Sequence, residues 1–352
     1  MAKTYSTHSY SGFQQLTPLV KPHIQDKALQ DLGIFIDTTR DNAYEWTFVE
    51  VGDHYIYPFA KGFQGGNSGD LSSKRVALVE FKKETSYSAK KYINRIERYH
   101  LRNGGNNHDM TASRMAEIEM YLHAMGVRTG IYKSFWLGDT AKKHTKDGQY
   151  INGDAASAYK VDDPDKRYNA TDGIWKEIET RLADDNIPRV KLTGTGVSTA
   201  LLENNELQSD AAKEIMKQCY VNASDELKSL YNQGEAAFYV TNNILMNYQD
   251  TLESDNTSNA HEKVIHGVDR FTFRKLPIYD MLIDGDILRD FGGDKKFRVM
   301  LSVPENLGIV LGLGSTTETR FWFNPDENEN RQRTQFEMEH CFLDPKYISV
   351  AY

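Results

Sequence analysis

Four glycines fall within the ten residues Lys61–Asp70, and the chain on both sides of them alternates in the manner of a β-strand. Before them Tyr44, Trp46 and Phe48 alternate with Glu45, Thr47 and Val49, and Tyr55-Ile-Tyr57 follows a turn at Gly52-Asp53. After them Lys74 to Phe81 reads as a strand rich in Val, Leu and Phe. Glycine at that density predicts a mobile tip instead of a tight two-residue turn. The result is a long hairpin with few apolar residues near its end. Such a ribbon is only marginally stable alone in water, so it needs a surface, and the expected surface is another chain.

The segments around it are of mixed type. Residues 1 to 43 are polar and weakly periodic, with a short helix expected from Lys27 to Ile36 that ends near Gly33. Met115, Ile118, Leu122 and Met125 recur at helical spacing and predict a helix over about 109–125, capped by Asp109 or Thr111, that could run on towards Lys133. Phe135 to Asp139 is expected to close it off. Residues 140 to 172 are polar and turn-rich, as in an inserted surface loop, and a helix resumes after Asp172-Gly173. Further helices are expected over Asp210–Gln218 and Asp225–Asn232, with Ser209 and Ser224 as caps, and another after Asn242 or Asn243. Strands are expected at Ala236–Val240, Phe271–Phe273, Ile278–Ile283, Phe297–Val303 and Leu307–Leu311. Phe321–Phe323 and Phe336–Phe342 flank the charged tip Asn324–Arg331 as a second projecting hairpin. This is an α+β pattern without a βαβ rhythm.

Of the 352 residues 39% are hydrophobic, enough for one large core or two modest ones. Against 50 acidic residues stand 42 Lys and Arg, with no basic arm or block, so the footprint of a nucleic-acid reader is missing. Enclosing nucleic acid is still compatible with that charge. Cys219 and Cys341 lie far apart and read as free thiols in a reducing compartment. The first residues carry no apolar secretory region, and the apolar stretch Leu307–Leu313 is far below a membrane span, which points to a soluble, cytoplasmic product. Asn169, Asn222 and Asn256 begin chance glycosylation triplets.

Enzyme patterns fail one by one. His261 and His266 are five apart, about 500° around a helix, and cannot share a face as the i, i+4 ligands of a zinc helix do. Gly194–Thr199 lacks the third glycine and the lysine of a phosphate loop. Asp284 and Asp286, like Asp162, Asp163 and Asp165, do not complete a calcium loop. No serine sits in a nucleophile elbow and no cysteine in a CxxC pair. No catalytic group, cofactor or metal is expected.

The order of elements carries a resemblance. The stretch Asp225–Asn243 resembles a segment of tailed-bacteriophage major capsid proteins in which a helix precedes a short apolar strand. Phe273-Arg-Lys-Leu-Pro-Ile278 resembles that family's Gly-x-Pro-Ile/Val strand, with Lys275 where glycine is commoner. Pro304-Glu-Asn-Leu307 resembles its Asn-Leu step, and Phe342–Tyr352 its closing strand. The resemblance covers most of the chain and is strongest from about 209 onward.

It implies an α+β, Hong Kong 97-like capsid fold: an N-terminal arm (1–43), an E-loop hairpin (44–85), a peripheral domain (86–194, with the spine helix at about 109–125 and the insertion at 140–172, joined by the hairpin 316–342), and an axial domain (195–315, closed by 343–352). It implies a non-enzymatic shell subunit that self-assembles as hexamers and pentamers into the icosahedral head around double-stranded DNA, held without sequence-specific binding. Portal, scaffold and decoration proteins would be partners, membranes would not, and assembly would take place in the host cytoplasm. Contacts between subunits are expected at Tyr44, Trp46, Phe48, Lys61 and Lys74 of the first hairpin, and at Asp326, Glu327, Glu329, Arg331 and Arg333 of the second. In some relatives a loop lysine forms an isopeptide bond with a neighbour's asparagine. Lys61 or Lys74, with Asn324, Asn328 or Asn330, occupy comparable places, although a solvated lysine is the preferred reading. An encapsulin-type shell shares the fold, and a soluble α+β enzyme or another phage structural part are the readings of other class.

Overall fold

The computed structural model describes residues 8–11, 32–39, 43–51, 69–88, 109, 114–140, 142–144, 150–152, 170–192, 202–203, 206–254, 262–265, 268–281, 297–312 and 318–352. The first half holds strands β1 (His8–Ser11), β2 (Phe35–Thr39), β3 (Ala43–Val51), β4 (Gly69–Ala77) and β5 (Val79–Ser88), then helices α1 (Arg114–Leu137) and α2 (Ile174–Arg181). Helices α3 (Ala211–Asn222), α4 (Asp225–Gln233) and α5 (Asn242–Ser254) follow, with β6 (Ala237–Val240) between the last two. The remainder is β7 (Glu262–Ile265), β8 (Val268–Phe273), β9 (Leu276–Asp280), β10 (Val299–Ser302), β11 (Leu307–Gly312), β12 (Glu318–Asn324), β13 (Glu329–Phe342) and β14 (Ile348–Ala351).

Strand β6 is buried at every residue, because alternate side chains enter different cores. Ala237 and Tyr239 face one core together with Met300, Ile348 and Val350. Phe238 and Val240 face the other with Val299, Leu301 and Ala351. The sheet between the cores runs β7-β8-β9-β6-β10-β14 and ends on the short strand Arg189–Val190. Helices α3, α4 and α5 cover its second face. Its first face packs against α1, α2 and a six-stranded sheet in which β13 pairs with β12, β11 and β5, while β1 extends β12 and β2 runs parallel to β11. Strand β11, expected with residues 195–315, therefore belongs to the six-stranded sheet. Phe35–Ile36, expected in a helix, are strand, since they pair with Gly308–Ile309.

Helix α1 is longer than its expected core, and it turns another face inward. Leu122 is 54% exposed and Tyr121 65%, while Ala116, Glu119, His123, Val127 and Ile131 are buried. Two polar residues in that inward stripe hide it from a search for apolar spacing. Phe135, Trp136 and Leu137, expected to follow the helix, form its buried last turn. The helix stops at Gly138, where the backbone crosses the start of α2. A Cβ on Gly138 would stand 2.3 Å from the Thr171 carbonyl oxygen, and one on Gly173 2.5 Å from the Gly138 nitrogen. The Gly173 N–H donates to the Gly138 carbonyl at 2.8 Å. Only glycine admits backbones this close. Caps also shift: Asp210, with φ +63°, precedes α3 in place of Ser209, and Thr241 precedes α5, which already includes Asn242 and Asn243. Ser224 caps α4 as expected, accepting from the Leu227 N–H at 3.1 Å. Lys142–His144 and Tyr150–Asn152 pair as a small hairpin in the polar insertion.

Both cysteines are free and buried, Cys219 in the helical core and Cys341 beneath β3 and β4. Burial pushes both thiols up, Cys341 to about 12.

Two predictions follow from this packing. Arg274 and Lys275 form the two-residue turn between β8 and β9 with φ of +48° and +77°, a left-handed conformation that disfavours side chains with a Cβ. Lys275→Gly is expected to raise stability by roughly 0.5–1 kcal/mol in chemical unfolding; an unchanged or lower midpoint contradicts the strain argument. His340 is wholly buried, against the Phe135 ring at 5.6 Å, and desolvation lowers its pKa to about 4 despite the opposing field of Asp172. It is neutral in the fold, whereas the unfolded histidine gains its proton near pH 6.5. Its contribution is thus intact above pH 6.5 and is lost as pH falls towards 4, at most ~3 kcal/mol. His340→Met should flatten the fall of the thermal midpoint across that window; a slope equal to the parent's refutes the assignment.

Candidate assembly surface

Strands β3 and β4 pair with each other alone among the described residues, in register from Ala43↔Ala77 to Val51↔Gly69. The expected tip, Lys61 included, lies outside the described residues, as does the side chain of Phe48. The root of the ribbon is anchored on its own chain. Trp46 is 6% exposed and packs with Val76, Val310 and Cys341. Its ring crosses Gly308, where an added Cβ would come within 3.1 Å of Cζ2. Tyr44 stands edge-on to Trp46 with centroids 5.2 Å apart, and its hydroxyl donates to the Asp37 carboxylate, a bond that raises its pKa. Trp46, expected on the face that a neighbouring copy covers, is thus buried against its own chain. Further out on β4, Leu71 is 71% exposed.

Lys74 lies opposite Trp46 in the register and is likewise committed internally. Its ammonium donates to Glu177 Oε1 at 2.8 Å and to the Phe342 carbonyl at 2.6 Å, and stands 4.8 Å from the Phe342 ring centroid. Arg181 also lies over that ring, at 4.7 Å, and donates to Glu177 Oε1 at 3.2 Å. This latch ties the ribbon to α2 and to the end of β13. Lys74, for which a solvated lysine is the preferred reading from sequence, is partly buried and bonded within the chain. Glu177 and Arg181 escaped notice because their i, i+4 spacing reads as an ordinary helix-surface pair, and nothing local links it to a lysine 103 residues away.

The second hairpin does not stand free. β5 flanks β13 over Val79–Ser88, and β1 flanks β12. One face of these strands is charged and points away from α1. Arg333 bonds Glu84 at 2.6 Å and lies over the Trp322 ring at 5.9 Å. At the tip, Arg331 pairs with Glu327 and, at 3.7 Å, with Glu329. Asp326 is exposed. Asn328 is an exposed turn residue with φ +53°, and Asn330 is buried on the opposite face. Of the second group, Asp326, Glu327, Glu329 and Arg331 lie at the tip and Arg333 further along β13. Glu327, Glu329, Arg331 and Arg333 are paired within the chain. Among the described residues no group of three or more His, Cys, Asp or Glu could hold a metal ion, and no helix is long and apolar enough to cross a membrane.

The latch makes a measurable demand. Lys74→Met keeps the stem but leaves a partly buried Glu177 with only Arg181, so a loss of ~1–3 kcal/mol is expected in chemical unfolding. Adding Glu177→Gln should recover part of it; strictly additive losses contradict a coupled latch.

No family model matches the chain, and no curated protein does. Solved structures do. A chain of the satellite phage P4 procapsid, in a structure that includes its size determination (Sid) protein, is 10% identical, with 99% of this chain and 93% of that one covered and a TM-score of 0.58. A chain of the holo-SrpI encapsulin complex from Synechococcus elongatus PCC 7942 is 9% identical, over 100% and 91%, with a TM-score of 0.46. One from Gordonia phage Cozz is 10% identical, over 92% and 85%, with a TM-score of 0.47. At 10% identity a common arrangement of helices and sheets is what is shared, and over nearly its whole length this chain has the fold of a phage procapsid chain.

Proposed function

We propose that this chain is the major capsid protein of a tailed phage, a non-enzymatic subunit that closes into an icosahedral head around double-stranded DNA. The observation that carries the reading is the fold, shared with a chain of the P4 procapsid across 99% of this one. The ribbon supports it: its root is fixed to the body, while β3 and β4 have no further strand partner among the described residues. Identical subunits close a container through heterologous contacts in which each copy gives and receives an arm. If a neighbour covers roughly 300 Å² of apolar surface on such an arm, the gain is about 7 kcal/mol before ordering costs.

In this reading β3–β4 with the segment between them is the E-loop, and the residues before β3 are the arm. The six-stranded sheet with α1 as its spine is the peripheral domain, and the seven-stranded sheet with α3 to α5 the axial domain. Leu71 on β4 is the exposed ribbon residue offered to a neighbour, and Phe48 and Lys61 are proposed to join it. Asp326, Glu327, Glu329, Arg331 and Arg333 meet their counterparts where hairpin tips converge. Hexamers and pentamers build the shell in the host cytoplasm, with portal, scaffold and decoration proteins as partners. The DNA is enclosed without sequence-specific contacts, consistent with a net charge of -8.

Electron microscopy of the expressed chain should show large isometric shells; a discrete monomer at high concentration defeats the proposal. Shells filled with one protein cargo would favour an encapsulating compartment instead. Arg331→Glu removes the cation that Glu327 and Glu329 share, so the yield of shells should fall. The soluble subunit should lose no more than about 1 kcal/mol, as for an exposed ion pair. Normal yield at physiological salt removes the tip from the interface.

A further inference from the structure

Buried polar groups under α1 lack hydrogen-bond partners among the described residues, although Phe321 and Phe323 flank them on β12. On β13, Asn330, Gln332 and Thr334 are alternate residues with buried side chains, and Met338 lies further along the same face. On α1, Ala116, Glu119, His123, Val127, Ile131 and Phe135 form the inward stripe. Two contacts align the helix with the strand. His123 Nε2 lies 2.9 Å from Thr334 Oγ1, and further along the Phe135 ring lies 5.6 Å from that of His340. Both elements therefore advance in the same direction. Glu119 precedes His123 by four residues, about 6 Å of helix. Gln332 precedes Thr334 by two residues, about 6.6 Å of strand. Glu119 consequently sits above Gln332.

Neither side chain is satisfied. Gln332 is 1% exposed, and both its amide oxygen and its amide nitrogen lack a hydrogen-bond partner among the described residues. Glu119 is 9% exposed, and its Oε1 lacks one too. The surroundings remain polar: Thr85 Oγ1 bonds His123 Nδ1 at 2.9 Å, and Thr319 Oγ1 lies 3.2 Å from Thr334 Oγ1. The charged neighbour on β5 is Lys83, whose ammonium lies under Gly126, where a Cβ would meet it at 1.7 Å. Buried amides and carboxylates are almost always bonded, and a polar recess with several convergent groups is where ordered water resides.

We propose that Glu119 and Gln332 hold buried water between α1 and the six-stranded sheet. One water donates to Glu119 Oε1 and accepts from Gln332 Nε2, and a second donates to Gln332 Oε1. The beginning of α1 then rides on a hydrated layer, while its end, from Val127 to Leu137, packs against Met338 and Phe342 in the apolar core. The inference is independent of the shell reading, since it concerns the interior of one subunit.

A map of the intact protein fine enough to show ordered water tests it directly. Density within hydrogen-bond distance of both Glu119 Oε1 and Gln332 Nε2 is the expected result. A direct carboxyl–amide contact with no density between the groups overturns the proposal. The second measurement is a cycle of Glu119→Leu, Gln332→Leu and the double variant. Each single change strands the remaining polar group and the water, so each should lower the apparent thermal midpoint. The double variant removes every group that needs the water and should return close to the parent. Additive losses overturn the site. In hydrogen exchange the amides of residues 119–124 should open before those of 127–137; the reverse order also overturns it.

Discussion

The molecule is hung on three adjacent strands, β6, β10 and β14, in which every residue is buried. β6, β10 and β14 send alternate side chains into two cores, so a single strand such as Ala237–Val240 ties the helical layer of α3, α4 and α5 to the layer of α1, α2 and the six-stranded sheet. A one-residue slip would exchange the two sets of side chains, placing Tyr239 where Phe238 belongs. The register is held from both neighbours of β6, parallel to β9 and antiparallel to β10. The two layers therefore cannot be repacked independently.

The latch of Lys74, Glu177 and Arg181 extends the same logic to the ribbon. Trp46 supplies the apolar root and Lys74 the polar one, from directly opposed positions of β3 and β4. The ribbon leaves the body from a fixed base. Coupling of this kind suits a subunit whose arm has to arrive at a set place on something outside itself, and the similarity to a procapsid chain supplies what that something is in the proposed reading.

Much of the fold was legible in the sequence wherever a pattern was local. Alternation at Tyr44, Trp46 and Phe48 announced β3, Ser224 announced α4, and the run Ala236–Val240 announced β6. Where partners lie far apart in the chain the pattern misled. Phe35 and Ile36 are strand because β11, about 270 residues later, offers them an edge. The inward stripe of α1 was missed because Glu119 and His123 stand in it, and the burial of His123 makes sense only against Thr334. The candidate surface shows the same division. The residue types at Arg331 and Arg333 were readable, but the pairing of Arg333 with Glu84, and the internal commitment of Trp46 and Lys74, depend on contacts that no spacing encodes.

The two cysteines give this architecture a pair of chemical reporters. Cys219 lies deep among the helices and Cys341 under the ribbon's root, and both thiols are held protonated and out of reach. A thiol reagent can attack only after the chain opens. Labelling at Cys341 ahead of Cys219 would record the ribbon lifting from an intact body, while simultaneous labelling would mean that arm and body come apart as one cooperative unit.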